Sequence, residues 1–219
     1  MPKRRQKKGF TLIELLTTIG IIALLMAVLL PSLFAAKERA KVLVVNAELS
    51  NIGLALEAYA LNNKGLYPPT RADCNGDTRK HWWPLPRELS EQGYLPKGQE
   101  GLAVFSAVED KYNRGCSYKY VAVGARLDFT NSPGIQTLQI PMGFPANSTG
   151  NYLSYADPAK SPVTWCLFSL GPRFDENNSV KDGFPVDKKF WYKPQQRSGL
   201  IVRFRLLKGA HIGSFEGHP

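Results

Sequence analysis

The chain has 219 residues, of which 43% are apolar, 21% charged and 11% aromatic; that much aromatic and aliphatic surface can offset the cost of ordering a chain and excludes wholesale disorder. Nineteen glycines without a triplet period exclude a collagen, and three cysteines are too few for a disulfide-dense scaffold. The net charge is +10, but five of the basic residues fall within the first nine positions, so half of the excess is a tag at one end and gives little support to a nucleic-acid surface.

That tag, Met1 to Gly9, holds Lys3, Arg4, Arg5, Lys7 and Lys8 and no acid. A Lys/Arg cluster directly before an apolar run holds that end on the cytoplasmic side of a membrane. The run follows at once: Leu15 to Ala36 is 22 residues without a charge, and at about 1.5 Å per residue it reaches roughly 33 Å, enough to cross a bilayer core. It is too long and too uniformly apolar for a buried core helix. A cleaved secretory signal would have a shorter apolar region ending in small residues, and here Leu33 and Phe34 stand where those small residues belong. Glu14 is the one charge between Phe10 and Ala36. A carboxylate at that depth is costly unless paired, which makes it a candidate functional residue.

Beyond the span, Val42, Val45, Leu49, Ile52, Leu56 and Tyr59 recur at helical spacing, with Lys37, Glu38, Arg39, Lys41, Glu48 and Glu57 mostly on the other faces. The stripe covers less than three heptads, short for a coiled-coil seam, and suits packing onto the remainder of the same chain. Asn62-Asn63, Gly65 and Pro68-Pro69 end the helix. Strands are expected at Ser117–Val123, Val163–Leu170, Lys189–Tyr192 and Leu200–Leu207, rich in aromatic and β-branched residues. Leu85–Gln92 has the makings of a short helix, and 68–82 and 129–151 read as loops, being rich in Pro, Gly, Asn and Ser. Helix first and strands afterwards give an α+β fold, one long N-terminal helix packed on an antiparallel sheet.

Lys7-Lys8-Gly9-Phe10-Thr11-Leu12-Ile13-Glu14-Leu15-Leu16 resembles the processing signal of type IV prepilins and type II secretion pseudopilins. It shares the basic leader ending in Gly, the Phe, the Glu four residues later and the apolar run. Gly20 and Pro31 also stand where that family often carries Gly and Pro, and Asn63-Lys64-Gly65-Leu66-Tyr67-Pro68 resembles its helix exit. The resemblance implies a pilin-like fold with four parts: a leader over 1–9, a membrane-spanning and filament-core helix over 10–36, its amphipathic continuation over 37–61, and an extracytoplasmic head over 62–219. It implies cleavage between Gly9 and Phe10 and N-methylation of Phe10 by a membrane-embedded prepilin peptidase. It also implies assembly into a filament of copies and other pilins on an inner-membrane platform, with Glu14 setting register and Pro31 loosening the helix. The physics of these residues agrees. Gly9 lets a peptidase hold extended backbone closely, and cutting creates an ammonium at Phe10 that a neighbour's Glu14 carboxylate would satisfy.

Three further groups are candidates. Cys74, Cys116 and Cys166 would lie outside the cytoplasm, where one disulfide and one thiol is the simplest arithmetic. Cys74–Cys116 would staple the loop after the helix to the first strand; Cys116–Cys166 and three buried thiols remain open. Ser169-Leu170-Gly171 followed by Asp175, Asn177 and Asp182 resembles the calcium loop of major pseudopilins, although Arg173, Lys181, Lys188 and Lys189 crowd it with positive charge. Trp82-Trp83 beside Arg79, Lys80 and His81 is either a cationic–aromatic surface or simple packing. His81, His211 and His218 are scattered, no zinc spacing is present, and the nucleophile-elbow, P-loop and dinucleotide motifs are missing from the sequence, so the reading is a structural subunit and not an enzyme.

Overall fold

The computed structural model describes residues 9–72, 82–98, 108–146 and 150–214. Two compact units divide the chain, Met1–Lys41 and Val42–Pro219. Helix α1, Leu12–Asn62, enters both. Within the first unit its side chains from Leu12 to Leu33 are exposed, as expected of a segment whose apolar surface belongs against lipid or other helices. Helical residues continue through Pro31 without a break in assignment. Proline there removes the N–H that would reach the Ala27 carbonyl, and Ser32 Oγ donates locally to the Leu29 carbonyl at 2.8 Å.

In the second unit the stripe read from the sequence is buried: Val42, Val45, Leu49, Ile52, Leu56 and Tyr59, joined by Gly53, Ala55 and Ala60. The helix ends at Asn62, where Lys64 and Gly65 take left-handed φ values of 57° and 80° and the Gly65 N–H donates to the Ala60 carbonyl at 2.8 Å. The stripe packs against Tyr118 and against Tyr120, Trp165, Leu167 and Ile201 of a four-stranded antiparallel sheet, in the order β2 (Lys119–Ala122), β7 (Val163–Ser169), β8 (Ile201–Leu206) and β9 (His211–Gly213). The other face of the sheet carries a second apolar cluster, with Val121, Cys166, Phe168, Val202 and Phe204 against Phe144, Phe184, Phe190 and Trp191. Covered on both faces, β7 is buried at every residue, which explains why its sequence reads as a continuous apolar run without alternation.

Two smaller sheets complete the unit. One is ordered β1-β3-β4, from Thr70–Ala72, Gly124–Asp128 and Pro133–Gln136; the other pairs β5, Leu138–Pro141, with β6, Tyr152–Tyr155. β1 runs parallel to β3, and the remaining strand pairs are antiparallel. Helix α2 is Arg87–Glu91, inside the expected segment.

The structure corrects the sequence reading in two places. Segments 68–82 and 129–151 contain β1, β4 and β5. Their prolines hide them, because Pro133 opens β4 and Pro141 closes β5 on strands that lie at sheet edges, where a missing N–H is tolerated. Lys189–Tyr192 is not a strand. Asp187 accepts from the Lys189 N–H at 2.9 Å and starts a 3-10 turn over Lys188–Phe190, after which Trp191 makes a single parallel bridge to Leu200.

A candidate processing and assembly site

Gly9 and Phe10 precede α1, and Phe10 is 82% exposed. Among the described residues, its chain neighbours aside, no atom lies within 4 Å of where a Gly9 Cβ would stand. Gly9 and Phe10, the two residues flanking the scissile bond expected from the sequence, are both exposed. Lys7 and Lys8 lie outside the described residues.

Thr11, Leu12, Ile13 and Glu14 form a capping box, a pattern of Thr followed three residues later by Glu. The Thr11 N–H donates to Glu14 Oε2 at 2.9 Å, the Glu14 N–H donates to Thr11 Oγ1 at 3.3 Å, and the Thr11 hydroxyl donates to Glu14 Oε2 at 2.7 Å. The sequence reading gave Thr11 no role, although its spacing from Glu14 was the signal. The other hydroxyls of the span turn back on their own helix: Thr17 donates to the Ile13 carbonyl at 2.9 Å, Thr18 to the Glu14 carbonyl and Ser32 to Leu29. Each described polar side chain between Thr11 and Ser32 thus has a partner inside the same helix, which is what a hydrocarbon surrounding demands. By length and composition α1 can cross a membrane.

The remaining candidates lie in the second unit. Ser169-Leu170-Gly171 forms a corner held from beneath by Asp110, which the sequence reading missed. Asp110 is buried and accepts from the Ser169 hydroxyl at 2.7 Å, the Leu170 N–H at 3.1 Å and the Tyr112 N–H at 2.9 Å. Burial pushes its carboxyl above the usual range, against the pull of those donors and of Lys119. Beyond the corner, Asp175 caps a 3-10 turn over Glu176–Val180, with Oδ1 accepting from the Asn177 N–H and Nδ2, both at 3.1 Å. Asp182 lies past that turn and is exposed. Asp175 and Asn177 are thus engaged with each other, and among the described residues no three His, Cys, Asp or Glu side chains gather as a metal-holding group.

Cys166 lies buried on β7 as a thiol that burial pushes well up, so the Cys116–Cys166 pairing is not formed. Cys116 is buried. Cys74 lies outside the described residues, and the Cys74–Cys116 pairing with it, as do His81, His218, Arg79 and Lys80. Trp83 packs edge-on to Phe168 and stacks on Phe184, a core role. His211 stands against Trp165 and 3.3 Å from Glu57.

The family model for the prokaryotic N-terminal methylation motif matches residues 4–30. The type II secretion system core protein G of Pseudomonas aeruginosa is 34% identical over 96 residues, 43% of this chain and 67% of that protein. The chain belongs to the type IV pilin-like family. The core protein G of Vibrio cholerae resembles this pilin-like chain at 31% identity over 97 residues, 44% of the chain and 66% of the relative. The type IV wide pilus major component PilA4 of Thermus thermophilus is 52% identical over 59 residues, 27% of the chain and 45% of the relative. The chain thus spans about two thirds of the core G relatives and under half of the wide-pilus component. No solved structure matches it.

Proposed function

We propose that the chain is a structural subunit, cleaved after Gly9, N-methylated at Phe10 and assembled through α1 into the pseudopilus of a type II secretion system. The observation that carries this is the placement of Gly9, Phe10 and the Glu14 carboxylate at the open N-terminal end of an apolar helix, in a chain similar to the secretion system's core protein G over 96 residues. Cleavage turns Phe10 into an ammonium beside a carboxylate. In a bundle of such helices, that ammonium and a neighbour's Glu14 satisfy one another away from water. The chain is then a substrate of the prepilin peptidase and a building unit, with no catalytic work of its own. Its N-terminus is cytoplasmic, its head extracytoplasmic, and its partners are the inner-membrane platform and other pilins.

A second reading, a subunit of a surface type IV pilus, is favoured by the 52% identity to the wide-pilus component over 59 residues. Mass spectrometry of the N-terminal peptide in sheared surface filaments and in the envelope separates the two. A methylated Phe10 start confined to the envelope supports the pseudopilus; the same peptide in sheared filaments supports the surface pilus. Uncut Met1 in every fraction overturns both.

A further inference from the structure

The corner Ser169-Leu170-Gly171 and the loop 191–200 meet backbone to backbone. Gly171 and Gly199 have left-handed φ values of 67° and 115°; a Cβ on Gly171 would stand 1.9 Å from the Gly199 carbonyl oxygen, and one on Gly199 would stand 2.5 Å from that of Trp191. Only glycine permits this approach. The two loops line an open cavity of about 240 Å³ whose lining includes buried Leu170, Phe190, Trp191 and Leu200.

Three cations line it: Arg173, Lys189 and Lys193. Lys189 is partly engaged, donating to the Tyr152 hydroxyl at 2.6 Å and standing 3.3 Å from Asp187. Arg173 and Lys193 make no ion pair or side-chain hydrogen bond among the described residues. The lining acid, Asp175, is occupied by Asn177. Arg173 also holds a left-handed φ of 56°, a conformation that side chains avoid and that gathers at ligand clamps. The cavity thus gathers three cations and one acid beside the loop that resembles a calcium site by sequence.

We propose that this cavity binds an anion, a carboxylate on a short apolar stem, as carried by an acidic residue of a second polypeptide. The Arg173 guanidinium supplies a planar fork for the carboxylate and Lys193 a second donor. The apolar part of the lining takes the stem, which favours an organic acid over a bare inorganic ion, and the cavity is smaller than those that hold drug-sized ligands. The site belongs to the head alone and stands whether or not the chain polymerises.

The test is fluorescence anisotropy on the full chain in detergent micelles at low salt. The probe is a labelled hexapeptide containing glutamate, with its glutamine counterpart and inorganic phosphate as the other arms. The glutamate peptide should bind and the glutamine peptide should not. Arg173→Gly should weaken binding about tenfold, the loss of one charge-assisted contact. Its Tm should hold or rise, because glycine accepts the left-handed φ. Lys193→Gln should weaken binding at an unchanged Tm and keeps the test decisive if Arg173→Gly folds poorly. Arg114→Gln, an exposed cation elsewhere, should bind as wild type does. Equal binding of the two peptides, or unaltered binding by both cavity variants, overturns the site. Phosphate binding without glutamate-peptide binding overturns the carboxylate assignment.

Discussion

Asp110 is fixed by residues that stand 59 and 60 positions away in the chain, Ser169 and Leu170, and no local pattern around it announces that role. Asp110→Ala leaves three donors without a buried acceptor and should destabilise the head by roughly 3 kcal/mol in thermal or denaturant unfolding. The pH dependence has a definite sign. Burial raises the folded carboxyl above its unfolded value, so the folded state holds the proton more tightly than the unfolded chain. The stabilising contribution is complete below the ordinary carboxylate pKa of about 3.9 and is lost as pH rises through the raised value. Over that window the Tm of wild type should fall relative to that of Asp110→Asn. Thr11 is the reverse case, since its three-residue spacing from Glu14 was readable and only its hydrogen bonds needed coordinates. Gly171→Ala should lose on the order of 3 kcal/mol, both from its positive φ and from the collision with Gly199; circular dichroism melting measures it.

Helix α1 was legible in the sequence at both ends and along its buried stripe, because a 3.6-residue period and an Asn–Gly–Pro exit are local signals. What the stripe meets was not legible. Gly53 sits under Trp165, with a would-be Cβ 3.1 Å from the indole, so the helix lies close to the sheet there. Gly53→Leu should destabilise the head by about 2 kcal/mol despite the better helix propensity of leucine, since overpacking outweighs it. Leu49→Ala opens a fully buried site and should lose about 3 kcal/mol; chemical denaturation of the two variants tests both. Among strands, β7 and β8 were readable as apolar runs, whereas β4 and β5 were masked by edge prolines and β9 by its three-residue length. Glu57 ties α1 to the sheet through Arg205 at 2.8 Å and to the segment after the helix through the Tyr67 hydroxyl at 2.8 Å, contacts that short sequence windows do not reveal.

For the molecule as a whole, the family was written in ten residues around Gly9 and Phe10, while the head announced little beyond its class. Glu14→Ala should insert and be cleaved as wild type is, because neither step uses the carboxylate, yet yield no filaments by electron microscopy of overexpressing cells. Normal filaments from that variant would remove Glu14 from assembly. The hydroxyls of the span, each turned back on its own helix, have a further consequence in a bilayer. Interhelical hydrogen bonds between polar side chains are a glue between membrane helices, and the uncut chain keeps its own for itself. In the processing proposed above, severing the leader adds a charge at Phe10, at the same end of the helix as the Glu14 carboxylate. On that proposal the cut hands the helix a polar group free to seek its partner on another chain.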